Sequence, residues 1–182
     1  MKTYLLILIS VFSFLCFFSC ENKTKNKISQ KKDNSPSQII KQAHIFRSQN
    51  GEVEVEIKSP LIQSYEGDSA RMIFPKGVKV KFFNEDMTIK STLVANYAIN
   101  YNNSNKVYLR DSIVIINYNN EDTIYCQDLI WDRDLKIVSS EKKVQRNSAS
   151  GIAYGDGFIS SENMDSVRIK NHRGIQVVKE DD

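Results

Sequence analysis

Residues 51–60 read GEVEVEIKSP. Val53, Val55 and Ile57 fall at every second position, and Glu52, Glu54, Glu56 and Lys58 stand between them. A period of two with one charged face predicts a strand with its apolar side buried. The same alternation returns downstream, where Val78, Val80 and Phe82 alternate with Lys79 and Lys81. Pro60, the Gly67–Asp68 pair and Pro75–Lys76–Gly77 interrupt it as turn residues do. Upstream, IIKQAHIFR (39–47) fits either a short turn or a first strand. Helical periodicity is thin throughout, so the body of the chain reads as antiparallel β-structure.

A repeat supports that reading. Tyr101, Trp131 and Ser161 recur at intervals of 30 positions, and six residues after each stands a β-branched apolar residue: Val107, Ile137 and Val167. Turn-prone stretches lie between, NNSN at 102–105, DRDL at 132–135 and ENMD at 162–165. Each unit therefore reads strand, turn, strand, turn. Units of this length stack, because one alone cannot bury its apolar face. Gly and Pro are few, 7 and 3, which predicts long strands joined by compact turns.

One strand is apolar on both sides. In DSIVIINY (111–118), Ile113 and Ile115 point one way, and Val114, Ile116 and Tyr118 the other. A half-wet sheet has no use for apolar residues on both faces. Either this is a central strand of a two-layer sandwich, or one face lines an apolar cavity.

The first twenty residues set the compartment. Lys2 is followed by an apolar body, Tyr4–Phe18, of about 15 residues. That length matches the core of a signal peptide and is short of the roughly 20 residues a spanning helix needs. Ser19 precedes Cys20, as lipoprotein signal peptidase requires of its substrates. Phe17 and Phe18 stand where Leu and a small residue are usual, so the match to a lipobox is loose. Cys16 follows Leu15 and fits less well. The reading is a lipoprotein signal peptide over 1–19 and a lipid anchor on Cys20. The competing reading is a short uncleaved anchor. Both leave the body outside the cytoplasm and tethered to a membrane. Two acyl chains hold a protein stably where one is marginal. Residues 20–38 follow as a polar tether with Lys23, Lys25, Lys27, Lys31 and Lys32. Lysines favour proximity to anionic lipid, which suggests retention in the periplasm. Residues 39–182 are the size of one domain.

Composition excludes more than it suggests. The 182 residues carry a formal net charge of +3 and 41% hydrophobic residues, with no strong basic bias toward nucleic acid. With Cys16 and Cys20 spent on the leader, Cys126 has no partner, and the fold must stand without an internal disulfide. His44 and His172 are far apart and lack metal-ligand spacing, so they read as surface residues. Asp128, Asp132 and Asp134 sit where a strand gives way to a turn, and Asp is common there. SGIAYGDG (150–157) has no strand–glycine–helix context for phosphate. Gly155 and Gly157 read instead as points of close backbone approach. No nucleophile–base set has credible partners, so the chain reads as a non-enzyme without metal or cofactor.

Three segments in order, FPKGVKVKFFNEDMTIKSTLVANYAINY (74–101), DTIYCQDLIWDRDLKIVSSEKKV (122–144) and GIAYGDGFISS (151–161), resemble LptC. LptC is the membrane-anchored periplasmic component of the lipopolysaccharide export machine. The likeness is to its Bacteroidetes-type lipoprotein version, within the wider group that includes OstA and LptA. It covers about residues 50–176. The resemblance implies a twisted, open, antiparallel β-jelly-roll whose apolar groove holds acyl chains, and whose free edges join partners by strand addition. It implies as partners lipopolysaccharide, the inner-membrane Lpt ABC transporter and an LptA-like bridge protein. Shielding matters because each exposed CH₂ costs about 0.8 kcal/mol in water. Enterobacterial relatives use an uncleaved helix where this chain offers Cys20. On the groove reading, the lining consists of alternating large apolar residues: Val80, Phe82, Leu93, Tyr97, Leu109, Ile115, Ile124, Trp131 and Phe158. The alternative is a lipid-anchored β-sandwich that binds glycans or proteins on its surface. It predicts exposed loop aromatics and a closed core, whereas LIW (129–131) sets Trp131 in a strand.

Overall fold

A computed structural model describes residues 35–176. The signal peptide expected over 1–19, the lipid anchor at Cys20 and the tether up to Asn34 lie outside the described residues. The compact unit begins at Ser35. Its strands are β1 (Gln38–Gln49), β2 (Glu52–Tyr65), β3 (Arg71–Phe74), β4 (Val78–Phe83), β5 (Ile89–Ala95), β6 (Tyr97–Tyr101) and β7 (Lys106–Asn117). The series continues with β8 (Asp122–Asp132), β9 (Ile137–Ser140), β10 (Val144–Ser148), β11 (Gly151–Gly155), β12 (Gly157–Ser161), β13 (Val167–Lys170) and β14 (Arg173–Gln176). Every pairing is antiparallel, and there is no helix among the described residues.

Residues 39–47 are strand, not turn. Gln49 pairs with Glu52 around Asn50-Gly51, both at positive φ, 52° and 89°. That is the two-residue hairpin loop whose twist suits the flanking strands. The loop locks β1 against β2 along nearly its whole length.

The ladder forks at its long strands. The first half of β2 pairs with β4 and its last residues pair with β3. β7 pairs with β6 through Lys106–Arg110 and with β5 through Val114–Asn117. β8 repeats the arrangement, with β10 on Thr123–Cys126 and β9 on Ile130–Asp132. Two leaves result. The first runs β1, β2, β4, β5, β7, β8, β10, β11, β14; the second runs β2, β3, β6, β7, β8, β9, β12, β13, and the long strands β2, β7 and β8 belong to both. The circuit β2–β4–β5–β7–β6–β3 closes on itself, so the leaves lie face to face as a β-jelly-roll.

The crossing points line up as a crease, and each has a local cause. β2 crosses at Pro60, which has no N–H for the ladder, and opposite it Gln42 takes φ 52°. β7 crosses at Asp111 and Ser112, at φ 65° and 53°, where the register with β8 shifts. Asn96 alone separates β5 from β6, and its N–H donates to the Asp111 carbonyl at 3.0 Å. Asp156 alone separates β11 from β12 and donates likewise to Lys170, also at 3.0 Å. Gly155 is required here, because a Cβ would collide with the Ile169 side chain; at Gly157 a Cβ would lie 2.6 Å from the Ser140 carbonyl. The close-approach reading of both glycines holds.

The 30-residue repeat is the hairpin series of the second leaf. Tyr101, Trp131 and Ser161 stand at or beside the ends of β6, β8 and β12, and Val107, Ile137 and Val167 lie on the returning strands. Asp132 shapes the middle loop by accepting the N–H groups of Asp134 and Leu135, both at 3.1 Å. The stretch 111–118 is buried on one side only. Ile113 and Ile115 point inward, whereas Val114 lies on the outer face between Val94 and Tyr125.

Candidate functional site

The space between the leaves gathers the apolar alternation into continuous rows. On the first leaf one inward row runs Ile45, Ile57, Val80, Leu93, Ile115, Ile124, each the cross-strand partner of the next. Four residues predicted to line a groove, Val80, Leu93, Ile115 and Ile124, are consecutive in it and buried. Phe82 stands in the adjoining row, paired with Val55 and Ser91. From the second leaf Leu109 enters between Ala98 and Leu129, and Phe158 between Ser140 and Ile169. Trp131 projects between Val107 and Val138. Its ring meets Phe82 edge-on at 5.9 Å across the leaves.

Tyr97 stands apart from the other eight. Ala98 beside it faces inward and is buried, so Tyr97 turns outward, where the Arg110 guanidinium covers its ring at 4.4 Å. Asn96 at the crease sets this parity. Alternation carried across 95–97 unbroken puts Tyr97 on the same side as Ala95.

Polar groups close the side of the space opposite the crease. Asn117 on the first leaf donates through Nδ2 to the Met164 carbonyl on the loop of the second, at 3.0 Å. Lys90 and Asp165 form an ion pair beside it at 3.1 Å. The Trp131 indole N–H donates to Glu162 at 3.0 Å. The Ser91 hydroxyl is buried near this mouth without a partner. Farther along, the inward row changes character. Ile124 is followed by Arg146, then by Ala153 and Gly174. Asp122 holds Arg146 through Nη2 at 2.6 Å.

Elsewhere the titratable groups serve the architecture. Glu56, on the outer face, takes His44 of β1 at 2.6 Å, Lys58 of β2 at 2.8 Å and Lys81 of β4 at 3.0 Å. These partners, the two lysines first, hold its carboxyl down at about 2. Asp132 is lowered chiefly by the Leu135 N–H and then by Lys106. Asp134 accepts from Asn105 and Asp128 from Ser140, so the three aspartates have separate structural partners. Cys126 is free and buried, its thiol pushed up to about 12 by burial and the charge of Asp128. Among the described residues, no three of His, Cys, Asp and Glu come together as a metal site.

No curated protein matches the chain in sequence. A family model described as lipopolysaccharide-assembly, LptC-related matches residues 4–175. That span takes in the forked sheet and both faces of its apolar interior. With nearly its whole length matched, the chain belongs to the LptC-related family of lipopolysaccharide-assembly proteins, and its role is in lipopolysaccharide transport at the periplasmic side of the inner membrane.

Proposed function

We propose that the space between the leaves is a lipid conduit. On this reading the protein accepts lipopolysaccharide from the inner-membrane ABC transporter and passes its acyl chains along the inward rows to a bridge protein. The chain acts by binding alone, with no catalytic step. The observation that carries the reading is the unbroken row from Ile45 to Ile124, which crosses six strands without a polar residue. Burying acyl chains there saves about 0.8 kcal/mol per CH₂ relative to water.

The two ends of the stack suit strand addition. β1 pairs with β2 on one side, and among the described residues its other edge has no partner strand from Gln38 to Gln49. β13 and β14 end the second and first leaves at the opposite end. In the proposed arrangement the anchored β1 end meets the transporter and the β13/β14 end meets the bridge. A lipid on Cys20 holds the chain at the inner membrane.

The Phe82–Trp131 contact favours a second reading. The interior is filled by its own side chains, as in a plain sandwich that binds glycans or proteins on its surface. Photo-crosslinking in living cells separates the two. A crosslinking residue at Phe82 or Ile115 is expected to trap lipopolysaccharide, and one at Glu54, on the opposite face of β2 from Val55, is not. Silence at both inward positions, with the protein folded and export running, would leave the surface-binding reading.

A further inference from the structure

The inward row of the first leaf does not stay apolar to its end: a cationic residue follows Ile124, and small residues follow it. Arg146 occupies the position after Ile124, and beyond it Ala153 and Gly174 leave the floor without bulk. The bay so formed has a volume of about 350 Å³ and is lined by Arg146, Ser148, Ser150 and His172 as its polar side chains. Among the described residues, no carboxylate lines it. Asp122 lies behind Arg146 and grips Nη2 alone at 2.6 Å, which fixes the guanidinium plane. The Arg146 Nε is buried and has no hydrogen-bond partner, although a buried N–H nearly always has one. The Ser148 and Ser150 hydroxyls sit 2.9 Å apart at the rim. On the opposite side, His172 Nε2 lies 3.2 Å from where a Cβ on Gly174 would stand, so Gly174 keeps its place clear.

We infer that this bay binds a phosphate group, the phosphorylated head of an amphiphile whose chains lie in the apolar part of the same row. The guanidinium supplies the charge and planar donor geometry that phosphate oxygens accept, with Asp122 engaging Nη2 only, and the Ser148 and Ser150 hydroxyls, which bond the Gly151 carbonyl and each other, would rotate with the His172 imidazole to add donors. Asp122 both orients the guanidinium and offsets part of its charge. The inference rests on the conduit reading for the chains, and on the bay alone for the phosphate.

The test uses the full chain in phosphatidylcholine vesicles with a photo-crosslinking residue in place of Ile115. The probes are lipid A with its phosphates and the same lipid after dephosphorylation. The phosphorylated lipid is expected to give about tenfold more adduct, the scale of one charge-assisted contact. Asp122→Asn combined with Arg146→Gln removes both charges and strands neither, and it is expected to equalise the two yields. Arg146→Lys keeps the charge without the planar donor geometry and is expected to fall between. Equal yields in the unsubstituted chain, or a preference that survives the double variant, would overturn the site. Absence of adduct with either lipid would overturn the conduit and with it this assignment. Excess inorganic phosphate is expected to leave the preference in place, because the lipid is held at both ends. If phosphate alone erases it, the bay serves free phosphate and the head-group assignment falls.

Discussion

Phe82 and Trp131 lie 49 positions apart in sequence and meet edge to face between the two leaves, with an interplanar angle of 70°. This contact and the apolar rows around it hold the leaves together. On the conduit reading, an acyl chain entering the same space has to part the two rings.

Phe82→Ala should therefore weaken the empty protein and ease lipid binding. The expected loss is about 3 kcal/mol of unfolding free energy, measured by urea titration. The yield of lipid adduct at Ile115 should rise in the same variant. A loss below about 1 kcal/mol would show that the rings merely touch.

The mouth should act as a lock. Lys90→Cys with Asp165→Cys, bridged by a short bifunctional thiol reagent, replaces the ion pair between the leaves with a covalent tie. Lipid adducts at Ile115 are expected to vanish when the tie is closed and to return when a cleavable linker is cut. The native pair is partly exposed at Asp165, so breaking it alone should cost less than about 1 kcal/mol. Unchanged adducts in the closed state would mean that lipid enters from an end of the stack.

Acid should unpin β1. Glu56 is held at about 2 in the folded protein against an ordinary 4.5. A depressed folded value gives stability that is complete above the unfolded pKa and is lost as the pH falls from about 4.5 toward 2. The contribution is on the order of 3 kcal/mol, since the side chain is only 7% exposed. Glu56→Gln should be less stable at pH 7 and should lack this acid-dependent component. Thermal unfolding of both proteins from pH 7 to pH 2 tests this; parallel curves would count against it.

Cys126 should be silent. Its thiol is buried and held at about 12, so almost no thiolate exists at pH 8. The peptide containing Cys126 is expected to stay unlabelled by maleimide in the native protein and to label fully in urea. Labelling without denaturant would indicate that the crease beside it opens.

Much of this was legible in the residues. Period two gave the facing of Val80, Phe82, Leu93 and Ile115, and the interval of 30 positions gave the hairpins of the second leaf. Alternation fails where the chain crosses the crease, because one linking residue such as Asn96 resets the parity. That is why Tyr97 faces outward while Ala98 turns in. The choice between turn and strand for 39–47 could have been made from Asn50-Gly51, a strong hairpin signal two residues past the stretch. Arg146 was hidden for a different reason. In VQRNS (144–148) nothing local says that a charged residue faces inward, and only the partners Ile124 and Ala153 reveal it.

The hairpins of the second leaf also make length a countable property. Each 30-residue unit adds two strands to the leaf, and neighbouring strands are about 4.8 Å apart, so each unit extends the stack by about 10 Å. Inserting or deleting one whole unit leaves the pairing rules of its neighbours untouched. On the conduit reading, reach across an aqueous gap can therefore change in steps of fixed size while the cross-section, and so the kind of cargo, remains the same.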